Sequence, residues 1–407
     1  MKPRVYERKI MPGPLEGIRV IDLSHIVVGP FCSMILGDMG AEVIKIEMPN
    51  SGDETRLWGP PFAGGESAYF FSLNRNKKSL TLNLKTEKGK EILRKLIAES
   101  DVLIENFRPG TMDKLGFGYE PAKEINPRMI YCSITGYGKT GPLAHEGGVD
   151  IVVAAEAGLI GITGQQDGPP AKVGVAITDV LTGLFAQGAI ANALYYREKT
   201  GKGQRIDLSL FQSQISALIN MASNYLISGS VPQRWGLAHA NIVPYQGFKT
   251  EDKEYIMVSV TSEKMWINFC RVIGKPELAS DPKYDANEKR VVHREDLVPM
   301  LEELFITRTS DYWIKELRTA KIACGRVNTM DRVFDHPQIE PLNVVVEVDH
   351  PTAGRIKLVG IPVEYSETPG SIRLPPPLLG QHTDEILSEL MGYTEKEIEI
   401  LREEGTI

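Results

Sequence analysis

The first thirty-odd residues after a short lead constrain this chain more than any later stretch. Gly17-Ile-Arg-Val-Ile-Asp-Leu23 is apolar nearly throughout, the pattern of a strand buried on both faces. A loop with Gly29-Pro30 follows, then a helical pattern from about Phe31 to Met39 that ends at Gly40, a natural C-cap. Ala41-Glu-Val-Ile-Lys-Ile-Glu47 is a second strand. Together they form a β-α-β unit, which builds parallel sheets through right-handed crossovers. The alternation continues. Strands are expected at Ser79–Leu84, Asp101–Glu105, Met129–Ile134 and Arg205–Leu210, with helices at Lys88–Ala98, Ile151–Gly161, Val180–Tyr196 and Gln212–Leu226. The fold class is therefore α/β, a large Rossmann-like parallel-sheet domain with a smaller α+β domain.

The division into domains follows from length and a change of character. A chain of 407 residues with 42% hydrophobic content exceeds one typical domain and can fill two cores. After Ser228 a polar turn (Lys249–Glu254), a strand (Tyr255–Val260) and amphipathic helices between Glu263 and Arg318 replace the earlier alternation. Strand patterns return at Val344–Val348 and Arg355–Gly360, before the Pro-rich Leu374–Leu378 and a last helix from Thr383. Residues 1–210 are read as the N-terminal part of a large domain, 211–228 as a linker helix and 229–335 as the small domain. Residues 336–407 are read as a segment returning to the large one.

Several function classes are disfavoured. A net charge of -7 without single-sign blocks argues against a nucleic-acid surface. Met1 to Pro14 is polar, without the apolar core of a signal peptide, and apolar runs are read as broken by charges within about 12 residues, too short for a membrane span. Cys32, Cys132, Cys270 and Cys324 are dispersed, as reduced thiols in a cytoplasmic protein would be. Between Leu23 and the first helix stands Ser-His-Ile-Val-Val-Gly-Pro, which lacks the G-x-G-x-x-G of dinucleotide sites. The seven histidines show no metal-ligand spacing, and no G-x-S-x-G elbow occurs.

What remains is a carboxylate in an unusual setting. Gly174-Val-Ala-Ile-Thr-Asp-Val-Leu-Thr-Gly183 places Asp179 after an apolar run, at the start of a helix rich in small residues. Free N–H groups and the helix dipole would keep it ionised there, and an ionised carboxylate can attack an activated acyl group. On spacing alone, a plain N-cap is the competing reading. A basic cluster at Asn74–Lys78 and Lys85, with Asn106–Gly110 after a strand, would suit an elongated anionic ligand or simply a solvated surface.

Taken in order, further segments are specific. They are Pro14–Asp22, Gly37–Glu47, Ser51–Arg56, Asn74–Ser79, Val102–Phe107, Ser133–Gly138, Thr200–Gln204 and Pro377–Asp384. Across nearly the whole chain they resemble the class III CoA transferases. The resemblance implies that Asp179 is the nucleophile of a ping-pong exchange through an aspartyl-CoA thioester. It also implies a CoA thioester as substrate, with no tightly bound cofactor, ATP or metal. By position it assigns CoA contacts to Val27, Val28, Leu82, Asn83, Leu84, Lys85, Asn106, Phe107, Arg108 and Lys114, with Asp150 bordering the thioester. Met48 stands where some members have arginine, and Val149 where many have tyrosine. The family fold implies a homodimer of interlocked rings, or a heteromer with a related subunit.

Arg234–Gln246 and Gly52–Pro61 look most like the succinyl-CoA:glutarate branch. That favours succinyl-CoA as donor and glutarate as acceptor, with benzylsuccinate, malate, citramalate or mesaconate as alternatives. Arg56 or His239 is expected to meet the distal carboxylate, which needs a cation or several donors. The competing functions are an α-methylacyl-CoA racemase and a non-catalytic CoA-binding subunit.

Overall fold

Runs of Val, Ile and Leu on strands covered from both sides produce six parallel strands in the computed structural model, which describes residues 13–407. The strands are β1 (Arg19–Asp22), β2 (Glu42–Glu47), β3 (Lys77–Thr81), β4 (Val102–Glu105), β5 (Ile130–Thr135) and β6 (Gln204–Ser209). The polar lead from Met1 lies outside the described residues as far as residue 12.

The strand order is β3-β2-β1-β4-β5-β6, and every pairing is parallel. Neighbouring residues of one strand serve opposite faces. Ile21, Ile44 and Leu103 pack with Leu93, Leu96 and Ile97 of a helix at Glu87–Ala98. Val20, Val43 and Ile104 pack instead against α1 (Val28–Asp38) and the long helix Ile177–Thr200. The direction in which successive strands are added to the sheet reverses between β1 and β4. Loops beyond the carboxyl ends of those two strands diverge there and leave a crevice, the place where open α/β sheets hold ligands.

Three expectations change in detail. Strand β3 ends at Thr81, so Leu82–Leu84 lie beyond it rather than within it. The helix expected over Ile151–Gly161 breaks at Gly158, whose φ of 88° is left-handed, and only α2 (Asp150–Glu156) borders the crevice. The linker expected as one helix is two, α4 (Leu210–Ser216) and α5 (Ile219–Ser228), and both belong to the first compact unit up to Ile227.

The helix Ile177–Thr200, hereafter α3, corrects the reading of apolar runs. It is uncharged from Val180 to Tyr196 and long and apolar enough, by length and composition, to cross a membrane. Its buried side is a stripe of Gly183, Ala186, Ile190 and Ala193 at helical spacing, laid against α1. The approach is close: a Cβ on Gly183 would sit 2.9 Å from the Val28 carbonyl oxygen.

Of the described residues, the first unit comprises 13–159, Val173–Ile227 and Glu340–Ile407; the second comprises Ile160–Lys172 and Ser228–Ile339. The second unit has an antiparallel sheet of Tyr245–Lys249, Tyr255–Ser259 and Ala323–Arg326. Its core is aromatic, with Phe248, Trp266, Phe269, Phe305 and Trp313 packed together. The strands Val345–His350 and Gly354–Val359 form a hairpin in the first unit.

Candidate active site

The crevice of the first unit is a cavity of about 500 Å³. Its floor is the loop His25–Val28 after β1, and its sides are Asn106–Pro109 after β4 and Gly147–Ile151 after β5. Asp179 closes it.

The floor is held in a strained shape. Ile26 has φ 70°, a region that β-branched residues rarely adopt. Its N–H is captured by the Asp53 carboxylate at 3.2 and 3.3 Å. Asp53 in turn pairs with Lys45 at 2.9 Å, both side chains wholly buried, and Lys45 Nζ also donates to the Ser24 carbonyl at 2.9 Å. Asn106 fastens the floor to the neighbouring loop. Its Oδ1 accepts the His25 N–H at 2.8 Å, and its Nδ2 donates to the His25 carbonyl at 2.9 Å. The carboxamide expected to meet CoA thus also fixes backbone, with one N–H and one oxygen lone pair engaged, while Asn106 still lines the cavity.

Beyond the floor α1 begins at Val28 without a side-chain cap. First-turn N–H groups left free in this way suit an anion. Gly29 is required there, since a Cβ would fall 2.1 Å from Ser24 Oγ. Arg108 borders the same cavity and carries the fixed positive charge of the site. On the opposite wall Gly136 and Gly148 lie back to back, and a Cβ on either would approach the other's Cα to 2.5 Å.

Asp179 is the third residue of α3, after the N-cap Ala176, so it is not the N-cap. Nor does the helix start keep it ionised as expected. The N–H groups of Thr178 and Asp179 both bond to Asp150 Oδ1, at 2.8 and 3.2 Å. Asp179 is 7% exposed, and burial, reinforced by the nearby Asp150 charge, pushes its carboxyl up to about 7. A carboxyl near 7 converts between acid and nucleophile around neutral pH.

Of the residues singled out from sequence, the cavity gathers Val27, Val28, Asn106, Phe107, Arg108, Asp150 and Asp179, together with Val149. Leu82 and Leu84 are buried in the core. The Asn83 N–H bonds to the Thr406 carbonyl, Lys85 and Lys114 are exposed, and none of these borders the cavity. Met48, at the end of β2, also lies outside its lining.

Arg56, expected at the distal carboxylate, is not among the residues lining this cavity. It is buried, bonded to both Glu47 oxygens, Glu66 and the Pro377 carbonyl, and lies 3.8 Å over the Phe70 ring, so four of its five N–H donors are engaged. His239 belongs to the second unit, where its N–H bonds to the Tyr245 carbonyl and its Nδ1 accepts the Asn241 N–H.

Among the cavity residues not singled out individually, Trp58 and Tyr69 stand out: they meet edge to face at 5.1 Å and both border the cavity. Burial, then the charges of Asp179 and Asp150, raises the Tyr69 phenol, which therefore stays protonated as a donor. The available signal was an aromatic pair in a Gly- and Pro-rich stretch without periodicity.

Residues 15–383 match the family model of CoA-transferase family III. Succinyl-CoA:glutarate CoA-transferase of Homo sapiens is 46% identical over 394 residues, 97% of this chain and 90% of that one. Succinate–glutarate CoA-transferase of Agrobacterium fabrum is 39% identical, over 93% of this chain and 96% of the relative. The solved structure of a CaiB/BaiF family protein from Brucella suis superposes with a TM-score of 0.82 at 40% identity, covering 93% of this chain and 100% of the other. A match of this extent, on a chain whose crevice presents a single buried aspartate beside an anion-suited helix start, means that the protein belongs to CoA-transferase family III.

Proposed function

We propose that this CoA-transferase moves CoA from succinyl-CoA to a dicarboxylic acid, glutarate foremost, through Asp179. The observation that carries the reading is the Asp179 carboxyl on the crevice wall with no hydrogen bond to either of its oxygens among the described residues. One Asp179 oxygen attacks the succinyl thioester carbon. The C–S bond breaks, leaving a succinyl–aspartyl anhydride and CoA thiolate. The thiolate attacks the aspartyl carbonyl, releases succinate and forms the aspartyl-CoA thioester. The glutarate carboxylate then attacks that carbonyl and displaces thiolate, and the thiolate takes the glutaryl group from the second anhydride, restoring the Asp179 carboxylate. Each step exchanges one acyl bond for another, so retaining the thiolate beside Asp179 is what the site must achieve.

CoA would enter along the carboxyl edge of the sheet. The first turn of α1 and Arg108 suit its phosphates, the backbone of Leu82–Lys85 and the ammonium groups of Lys85 and Lys114 would lie farther out, and Val27, Val28 and Phe107 offer apolar contact. The glutarate preference rests on the names of the relatives and on the likeness of Gly52–Pro61, whose Trp58 borders the cavity. A homodimer is part of the same reading. No side chain of α5 is buried, and Ile219, Leu226 and Ile227 are 72%, 80% and 84% exposed, an apolar surface that a second copy would cover. Sedimentation should give twice the chain mass, and a stable monomer at micromolar concentration would remove that part.

The deciding experiment incubates the protein with succinyl-CoA and a panel of acids (glutarate, malate, citramalate, mesaconate, benzylsuccinate) and follows new CoA thioesters by mass spectrometry. Glutaryl-CoA should appear fastest, by about tenfold or more over the other acids, the scale on which a pocket tells apart acids that differ by a methylene or a substituent. Failure to convert any acid, with exchange of α-hydrogen into deuterated solvent, would replace the transferase assignment of the site by a racemase one.

A further inference from the structure

We propose that Asp150 is a positioning residue for the nucleophile: by accepting the N–H groups at the start of α3 it leaves the Asp179 carboxylate without donors and free to attack. The proposal rests on Asp179 being the nucleophile and adds what makes it one. An aspartate in the first turn of a helix ordinarily turns back onto the free N–H groups there. Such bonds stabilise the anion, depress its basicity and blunt it as a nucleophile. In this protein both candidate donors, Thr178 N–H and Asp179 N–H, are already bonded to Asp150 Oδ1. The Thr178 hydroxyl is turned away as well, donating to Gln214 of α4 at 2.8 Å.

Asp150 reaches this position because it is the first residue of α2, whose start meets the start of α3 at the crevice. Its charge therefore acts on Asp179 from outside that residue's own helix. The other titratable side chains lining the cavity are Tyr69, His25 after β1, Arg108 after β4 and Glu146 after β5. From α1 and α4, which pack on α3, the groups nearest its first turns are Val28, Phe31 and Gln214, none of which titrates. Asp150 is thus the neighbouring carboxylate that raises Asp179, alongside burial.

The test compares Asp150→Ala and Asp150→Asn with the unaltered protein in single turnovers with succinyl-CoA, across about pH 5 to 9. The covalent CoA adduct is followed by intact-protein mass spectrometry, and the Asp179 carboxyl is titrated by isotope-edited infrared spectroscopy. Asp150→Ala frees the two N–H groups for Asp179. Adduct formation should slow on the order of 10- to 100-fold, the value of a charge-assisted hydrogen bond, and Asp179 should titrate well below 7. KM for succinyl-CoA should stay within about threefold. In Asp150→Asn the carboxamide oxygen still accepts, so most of the rate should return at high pH while the acid limb moves below 7.

A raised KM with unchanged turnover would overturn the proposal and make Asp150 a CoA contact. Equal rate losses in both variants with unaltered Asp179 titration would overturn it as mere structural damage, and unchanged rates in Asp150→Ala would do so outright. Adduct formation that survives in Asp179→Ala is a separate failure, that of the nucleophile itself.

Discussion

Asp179→Ala is expected to lower CoA transfer by at least about 10,000-fold while acyl-CoA still binds, because a lost nucleophile is not replaced by its surroundings. Turnover that stays above about one hundredth of the original would remove Asp179 from the mechanism. In the unaltered protein, adduct formation should climb as pH rises through about 7 and level off above, following loss of the Asp179 proton. The same group should oppose folding. Between 3.8 and about 7 the folded protein keeps a proton that the unfolded chain has released, so stability falls as pH rises across that window and stays reduced above it. Asp179→Asn removes the conflict. Its advantage should open above pH 4 and reach roughly 4 kcal/mol or somewhat less above 7. Urea unfolding at pH 5 and pH 8 checks this, and an Asn variant no more stable at pH 8 than the parent would refute it. A loss of activity accompanied by a gain in stability is the pattern of a site held in a costly state for its chemistry.

The second large effect belongs to the crevice floor. Asp53→Ala is expected to cost about 3 kcal/mol, the lower end of the range for removing one partner of a buried pair, because Asp22 and Glu47 remain near the Lys45 charge. Burial works against both charges. Lys45 nevertheless holds the Asp53 carboxyl below its usual range, while Asp22, Asp53 and Glu47 together hold the Lys45 ammonium above its own. The lowered acid contributes above 3.8 and the raised base contributes below 10.5, so the pair should stabilise across the whole neutral range and fade outside it. Asp53 also anchors the N–H of the strained Ile26, so the variant should bind CoA more weakly as well. Denaturant melts and KM for succinyl-CoA measure the two effects, and a loss under about 1 kcal/mol would show the pair to be dispensable.

The sheet was legible because its physics is local. Val20 and Ile21 face opposite layers, and the lack of polar alternation in such strands already marks burial on both sides. Strand order was less accessible, since β1 lies beside β4, about 80 residues away in sequence. Resemblance assigned Asn106 and Asp150 to the ligand, and both border the cavity; what it left out is that the first also clamps the His25 backbone and the second also caps another helix. Both are hydrogen bonds between distant segments, which no spacing rule reports. Arg56 shows the same limit: a guanidinium near a binding loop looks available until Glu47 and Glu66 are found around it. Trp58 and Tyr69 escaped because their segment has neither helical nor strand period.

The paired glycines of the crevice wall limit how this site can be remodelled. With Gly136 and Gly148 touching through their backbones, neither position can accept even a methyl group without moving the chain. A lineage or an engineer seeking a new acceptor acid must therefore leave that seam intact and work with the side chains around it. Trp58, Tyr69, Val149 and Ile151 are partly exposed and border the same cavity, so single exchanges there can change its shape while the seam keeps its register. Breadth of acceptor use across such proteins would then be concentrated in a few rim positions, with the floor and the seam held nearly constant.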